Sequence, residues 1–173
     1  MTETNIINPF PIMIGMAKES FFIRATVPIA NGSTSQTAID LGFAVDALGK
    51  SVLRVHNIAV QYGAGFVVSG QSYQGLYELS TQSATSLLSL VDRSVFATGT
   101  LRGDTTSGGN VTFVSQDDDV APQQWTNGYL LGVDQIYLRS IGDNAQGVIN
   151  IIMECTVETM SQSAAMALSL SQQ

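Results

Sequence analysis

The segment 148-VINIIMECTVE-158 places Ile149, Ile151, Met153, Cys155 and Val157 at odd positions and Asn150, Glu154, Thr156 and Glu158 at even ones. A period of two belongs to a β-strand, whose successive side chains point to opposite faces of a sheet, so this segment reads as a strand with one face in a core. Upstream, Tyr129 to Ser140 is expected to join it as a long hairpin through Gly142-Asp143-Asn144-Ala145-Gln146-Gly147, with the pair at the centre of a sheet.

The same period recurs toward the N-terminus. Phe21, Ile23, Ala25, Val27 and Ile29 alternate with Arg24 and Thr26 up to the turn Asn31-Gly32-Ser33, and Thr37 to Phe43 follows as a short strand. From Val52 to Tyr62 the apolar phase changes, with Leu53 and Val55 on one side and Ile58, Val60 and Tyr62 on the other, which predicts a bulge or burial on both faces. Glycines punctuate the next stretch: Gly63-Ala64-Gly65 before Phe66-Val67-Val68, then Gly70 and Gly75 before Leu76-Tyr77-Glu78-Leu79. Thr81 to Phe96 is too short for periodicity to choose between helix and strand and is read as mixed structure. Arg102-Gly103-Asp104 through Gly109 reads as a polar loop, Val111 to Val114 as a short strand, and Gln116 to Trp125 as a second polar loop.

Three units result: an arm over residues 1–19, irregular because Pro9 and Pro11 interrupt its apolar clusters; one β-domain over residues 20–158; and a short helix or docked tail over residues 159–173, rich in Ala, Met, Leu and Ser. About eight short strands without β–helix–β alternation predict an all-β sandwich or barrel. Eight strands in two sheets suit a single jelly roll, and an immunoglobulin-like order would give a similar string.

A length of 173 residues fits one domain and one core. Only 12% of residues are charged, where about 25% is usual. Ser, Thr, Asn and Gln take their place, and Lys18 and Lys50 are the only lysines. Lysine keeps protein surfaces apart and is depleted from interface centres, so this surface suits contact with copies of the same chain. The net charge is −7 with no run of Lys or Arg, leaving nothing to neutralise a phosphate backbone or dock on an anionic bilayer, so direct nucleic-acid binding is not expected. The N-terminus lacks the basic and apolar regions of a signal peptide, and no apolar stretch reaches the about 18 residues of a membrane span, which predicts a chain made in the cytoplasm. Asn31-Gly32-Ser33 and Asn110-Val111-Thr112 match glycosylation sequons and are read as chance matches.

No chemistry stands out. His56 is the only histidine, lies inside a strand, and is read as a strand residue with no catalytic role. Cys155, the only cysteine, sits on an apolar strand face and reads as core, which leaves no disulfide framework and no zinc spacing. Asp117-Asp118-Asp119 is the one acidic cluster, but successive carboxylates rarely converge on one cation and the EF-hand spacing is missing, so it reads as a solvated loop tip. Gly63-Ala64-Gly65 lacks the third glycine and following helix of a dinucleotide loop. Trp125, among Gln123, Gln124 and Asn127, reads as an aromatic anchor in preference to a sugar platform. The expectation is no enzyme, no catalytic, metal or cofactor-binding residue, no cofactor and no small-molecule substrate.

Taken together, the small all-β chain, its weakly charged loops and its apolar arm (Ile6, Ile7, Phe10, Ile12, Ile14) resemble the single jelly-roll capsid proteins of icosahedral viruses. Small RNA viruses of that kind commonly carry a basic arm, whereas residues 1–19 here hold one Lys and two Glu. The chain is therefore more similar to the upright single jelly-roll proteins of membrane-containing viruses of bacteria and archaea. The resemblance implies a structural virion protein that associates with itself or with related capsid proteins into capsomers, its arm and tail lying against neighbouring subunits or an internal viral membrane. The competing reading is a carbohydrate- or receptor-binding β-sandwich module of a fibre or lectin type, using Trp125 and the aspartate loop.

Overall fold

The computed structural model describes residues 19–46, 48, 50–63, 70–89, 91–106, 108, 111–117 and 125–173. Its elements are β1 (Phe21–Ile29), β2 (Ser35–Asp40), β3 (Ser51–Tyr62), β4 (Ser72–Ser80), β5 (Val95–Thr105), β6 (Val111–Asp117), β7 (Tyr129–Leu131), β8 (Gln135–Asp143), β9 (Gly147–Thr159) and α1 (Gln162–Ser171). The expected arm over residues 1–19 lies almost wholly outside the described residues.

Every strand pair is antiparallel. One sheet runs β1-β9-β3-β7 and the other β2-β8-β4-β5-β6. β6 extends the edge of the second sheet as a hairpin on β5; apart from it, each sheet has four strands and the chain crosses repeatedly between sheets, the double Greek key of a jelly roll. An immunoglobulin-like order would keep the first two strands in one sheet, and here β1 and β2 lie in different ones.

The sheets close on one core. β9 turns Ile149, Ile151, Met153 and Cys155 inward, and from the opposite sheet β4 and β8 turn in Tyr77, Leu79, Ile136 and Leu138. Each large apolar side chain buried this way contributes about 1.5–3 kcal/mol. β3 carries the expected bulge: its register on β9 shifts between Val55 and Asn57, so His56 is the extra residue and Ile58 re-enters the core on the opposite parity from Leu53 and Val55.

The expected hairpin between Tyr129–Ser140 and Val148–Glu158 does not form. β8 lies between β2 and β4, β9 lies between β1 and β3, and residues 144–146 carry the chain from one sheet to the other. Both strands are central in their own sheets and face the same core, so their alternation reports burial without naming the partner. Arg102 to Thr105, expected as a loop, continues β5. Among the described residues the connection after β4 has no helix or strand until β5 begins at Val95, and its first part lies over the outer face of the second sheet: the Leu88 amide donates to Glu78 Oε2 at 2.6 Å, and Arg139 Nη1 donates to the Gln82 carbonyl at 3.0 Å.

The C-terminal segment is a helix. Ser161 caps it, its hydroxyl accepting from the Ala164 amide at 3.3 Å. α1 ends against β7, the edge strand of the first sheet.

Candidate functional site

The bulge in β3 and the turn before β7 shape an open groove. Arg54, His56, Trp125, Thr126, Asn127 and Gly128 line about 530 Å³. Gly128 is fixed by the backbone: its φ is +74°, and a Cβ there would stand 2.7 Å from the Val55 carbonyl oxygen. Arg54 crosses the groove floor. Its Nη2 meets Glu158 Oε2 at 2.7 Å and its Nη1 donates to the Asn127 carbonyl. The hydrogen bond that Arg54 donates to Glu158 raises the Arg54 pKa further above its ordinary value, so the guanidinium stays charged, with its charge balanced by the carboxylate.

His56 projects outward from the bulge, and its Nε2 lies 2.9 Å from Thr156 Oγ1. A threonine hydroxyl does not orient an imidazole as a carboxylate does, so this pair is not the base of a nucleophilic triad. Trp125 is half-buried at 5.5 Å from the Tyr129 ring, which stacks on Phe96 at 5.0 Å. The three rings run from the groove into the core, and burial raises the pKa of the Tyr129 phenol above its usual value. Trp125 thus packs on the core through Tyr129 while it also lines the groove.

Cys155 is fully buried, and desolvation, with the charge of Glu154, pushes its thiol up to about 12. Gly63 closes a strand contact: its amide donates to the Val148 carbonyl at 2.8 Å, and a Cβ would meet Val148 Cγ2 at 2.6 Å. Of Asp117-Asp118-Asp119, the backbone of Asp117 ends β6, and the rest lies outside the described residues, as do Gln123 and Gln124. The structure therefore brings His56 and Trp125 to one groove and leaves Cys155 and Gly63 apart from it. Arg54 and Glu158 were missed in the sequence because two even positions on different strands show no spacing to each other. Among the described residues no three of His, Cys, Asp and Glu converge as metal ligands, and no helix is long and apolar enough to cross a membrane.

The remaining surface carries large apolar side chains. Leu48 is 72% exposed and Val91 92% exposed, and Phe22, Phe43, Met166 and Leu170 also face solvent.

No family model matches this chain, and no curated protein matches its sequence. Among solved structures, a chain described as Desmodium yellow mottle tymovirus is similar over 92% of this chain and 95% of its own, at 8% identity and a TM-score of 0.31. A likeness of that degree decides neither fold nor function, which rest on the strand order and side chains above.

Proposed function

We propose that this chain is a structural protein, a capsid subunit that associates with copies of itself. The observation that carries the reading is a jelly-roll strand order in a chain with 12% charged residues whose loops and helix expose large apolar side chains. Fold alone assigns no function, so the surface decides. Exposed Leu, Phe, Met and Val on a lysine-poor surface are stabilised by burial against another protein face. In the groove the Arg54 cation is already paired with Glu158, which favours a structural reading over recognition of an anionic ligand.

Within that class, the low basic content of residues 1–19 favours the upright single jelly-roll subunits of membrane-containing icosahedral viruses of bacteria and archaea. The proposed partners are copies of itself and related capsid proteins, with the arm and the C-terminal segment against neighbours or an internal viral membrane; the proposed location is the virion, with no enzymatic role and no direct contact with nucleic acid. Deleting residues 1–17 tests the reading: the truncated chain is expected to keep its β-sheet circular dichroism and lose assembly. Assembly identical to that of the full chain would contradict it.

A further inference from the structure

β7 ends the first sheet, and the outward groups of an edge strand are those a further strand would use. Here one side chain takes two of them. Gln172 Nε2 donates to the Leu130 carbonyl at 2.8 Å, and the Gly132 amide donates to Gln172 Oε1 at 2.8 Å. Thr81 Oγ1 donates to the Gln172 backbone carbonyl at 2.6 Å, and Gln172 itself is buried. A Cβ on Gly132 would stand 3.0 Å from Leu168 Cγ and 3.0 Å from the Ser169 nitrogen, so the glycine leaves the space in which the last turn of α1 rests. The edge thus has a built seat that reads a primary amide at two points.

The rest of the helix is held lightly. Of Gln162 to Ser171 only Ala165 is buried, while Met166 and Leu170 face solvent. Met160 and Ser161 alone join β9 to α1, and the Met160 amide donates to the Lys50 carbonyl at 2.8 Å. A terminal element with a short hinge, a specific seat and little buried apolar area is among the least costly to exchange between identical chains, since every contact re-forms on the same partners. Residues 159–173 also carry no ionisable side chain, so α1 adds no like-charge repulsion when it approaches a neighbour of net charge −7.

We propose that α1 is an exchangeable connector: in the assembled state Gln172 of one copy seats on Leu130 and Gly132 of the next. The seat itself names its occupant, because its spacing and its missing Cβ fit the last turn of this chain's own helix. This rests on the reading of the chain as a self-associating subunit, and deepens it by naming the contact.

Two variants separate the two ideas. Gly132→Val fills the seat and leaves the helix intact; Leu168→Asp combined with Gln172→Ala spoils the helix end and leaves the seat intact. Circular dichroism checks the fold, and light scattering gives the mass of wild type, each variant and their mixture. The expected result is an oligomeric wild type, a lower mass for each variant alone, and mixed species when they are combined, because the intact helix of one fits the intact seat of the other. An oligomeric wild type with both variants at its full mass, or a mixture without mixed species, overturns the exchange and leaves self-association standing. A wild type monomeric at every concentration overturns both. Should Gly132→Val fail to fold, Gln172→Ala alone carries the test, with a fall in mass expected and an unchanged mass overturning the proposal.

Discussion

Glu78 and Arg139 form an ion pair between register partners on β4 and β8 that is closed to solvent on the outer face of its sheet. Arg139 Nε donates to Glu78 Oε1 at 3.1 Å; Nη2 donates to the same oxygen and to Ser80 Oγ. The other carboxylate oxygen of Glu78 accepts the Leu88 amide, so the pair fastens the connection between β4 and β5 over the sheet. Both charges are compensated, and Arg139 Nη1 donates further to Gln36 Oε1 on β2 at 3.4 Å and to the Gln82 carbonyl of the connection at 3.0 Å.

Removing one partner leaves a buried charge. Arg139→Met is expected to lower the unfolding free energy by about 3–5 kcal/mol, whereas Glu78→Leu with Arg139→Met is expected to regain most of that loss. Urea unfolding measures both, and amide exchange at Leu88 is expected to speed up in the single variant. Equal loss in the single and double variants would show that the loss does not come from an uncompensated buried charge.

His56 separates the role of a side chain from that of a residue's place in the ladder. His56→Ala is expected to change stability by no more than about 0.5 kcal/mol, as for an exposed position. Deleting His56 leaves Val55 and Asn57 successive against Cys155 and Glu154, so both halves of β3 keep their inward faces and the deletion variant is expected to unfold cooperatively; loss of cooperative unfolding would show that the bulge itself is needed. Thermal melts by circular dichroism distinguish the two outcomes.

Gly103 lies opposite Tyr73 on β4, and a Cβ there would stand 2.2 Å from the Tyr73 hydroxyl oxygen. Tyr73 is buried and has little room to yield. Gly103→Ala is expected to destabilise by about 1–3 kcal/mol through overpacking, read as a shift of the urea midpoint. No shift would mean that the tyrosine moves freely.

Cys155 supplies a pH dependence. Its thiol pKa rises from 9.0 in the reference state to about 12 in the fold, because burial penalises the thiolate. A raised folded pKa means that the folded chain binds this proton more tightly, so its stabilising contribution is complete below pH 9 and is lost as the pH climbs toward 12. Cys155→Ala is expected to show a shallower fall in Tm over that range, and the wild-type thiol to resist a thiol reagent at pH 8 until the chain unfolds.

The legible and the hidden parts of the fold share one physical origin. β1 and β9 announce themselves because their inward residues are apolar and most of their outward ones polar, Phe22 and Ile152 being apolar exceptions. The bulge at His56 shows as a change of phase between Val55 and Ile58. β5 is hidden where its inward residues are Gly103 and Thr105, since Tyr73 from β4 fills the space that an apolar side chain would otherwise mark. Strand partners stay illegible, because β8 and β9 press on one core from opposite sheets. The Gln172 seat has no pattern at all: a lone glutamine near the end of the chain gains meaning only beside Leu130 and Gly132.

The central claim is that this jelly roll associates with its own copies, and the mass of the 173-residue chain in solution, measured by light scattering over a range of concentrations, tests it most directly. The account predicts a mass of several subunits, with rings or shells in negative-stain images. A single-subunit mass at every concentration would contradict it.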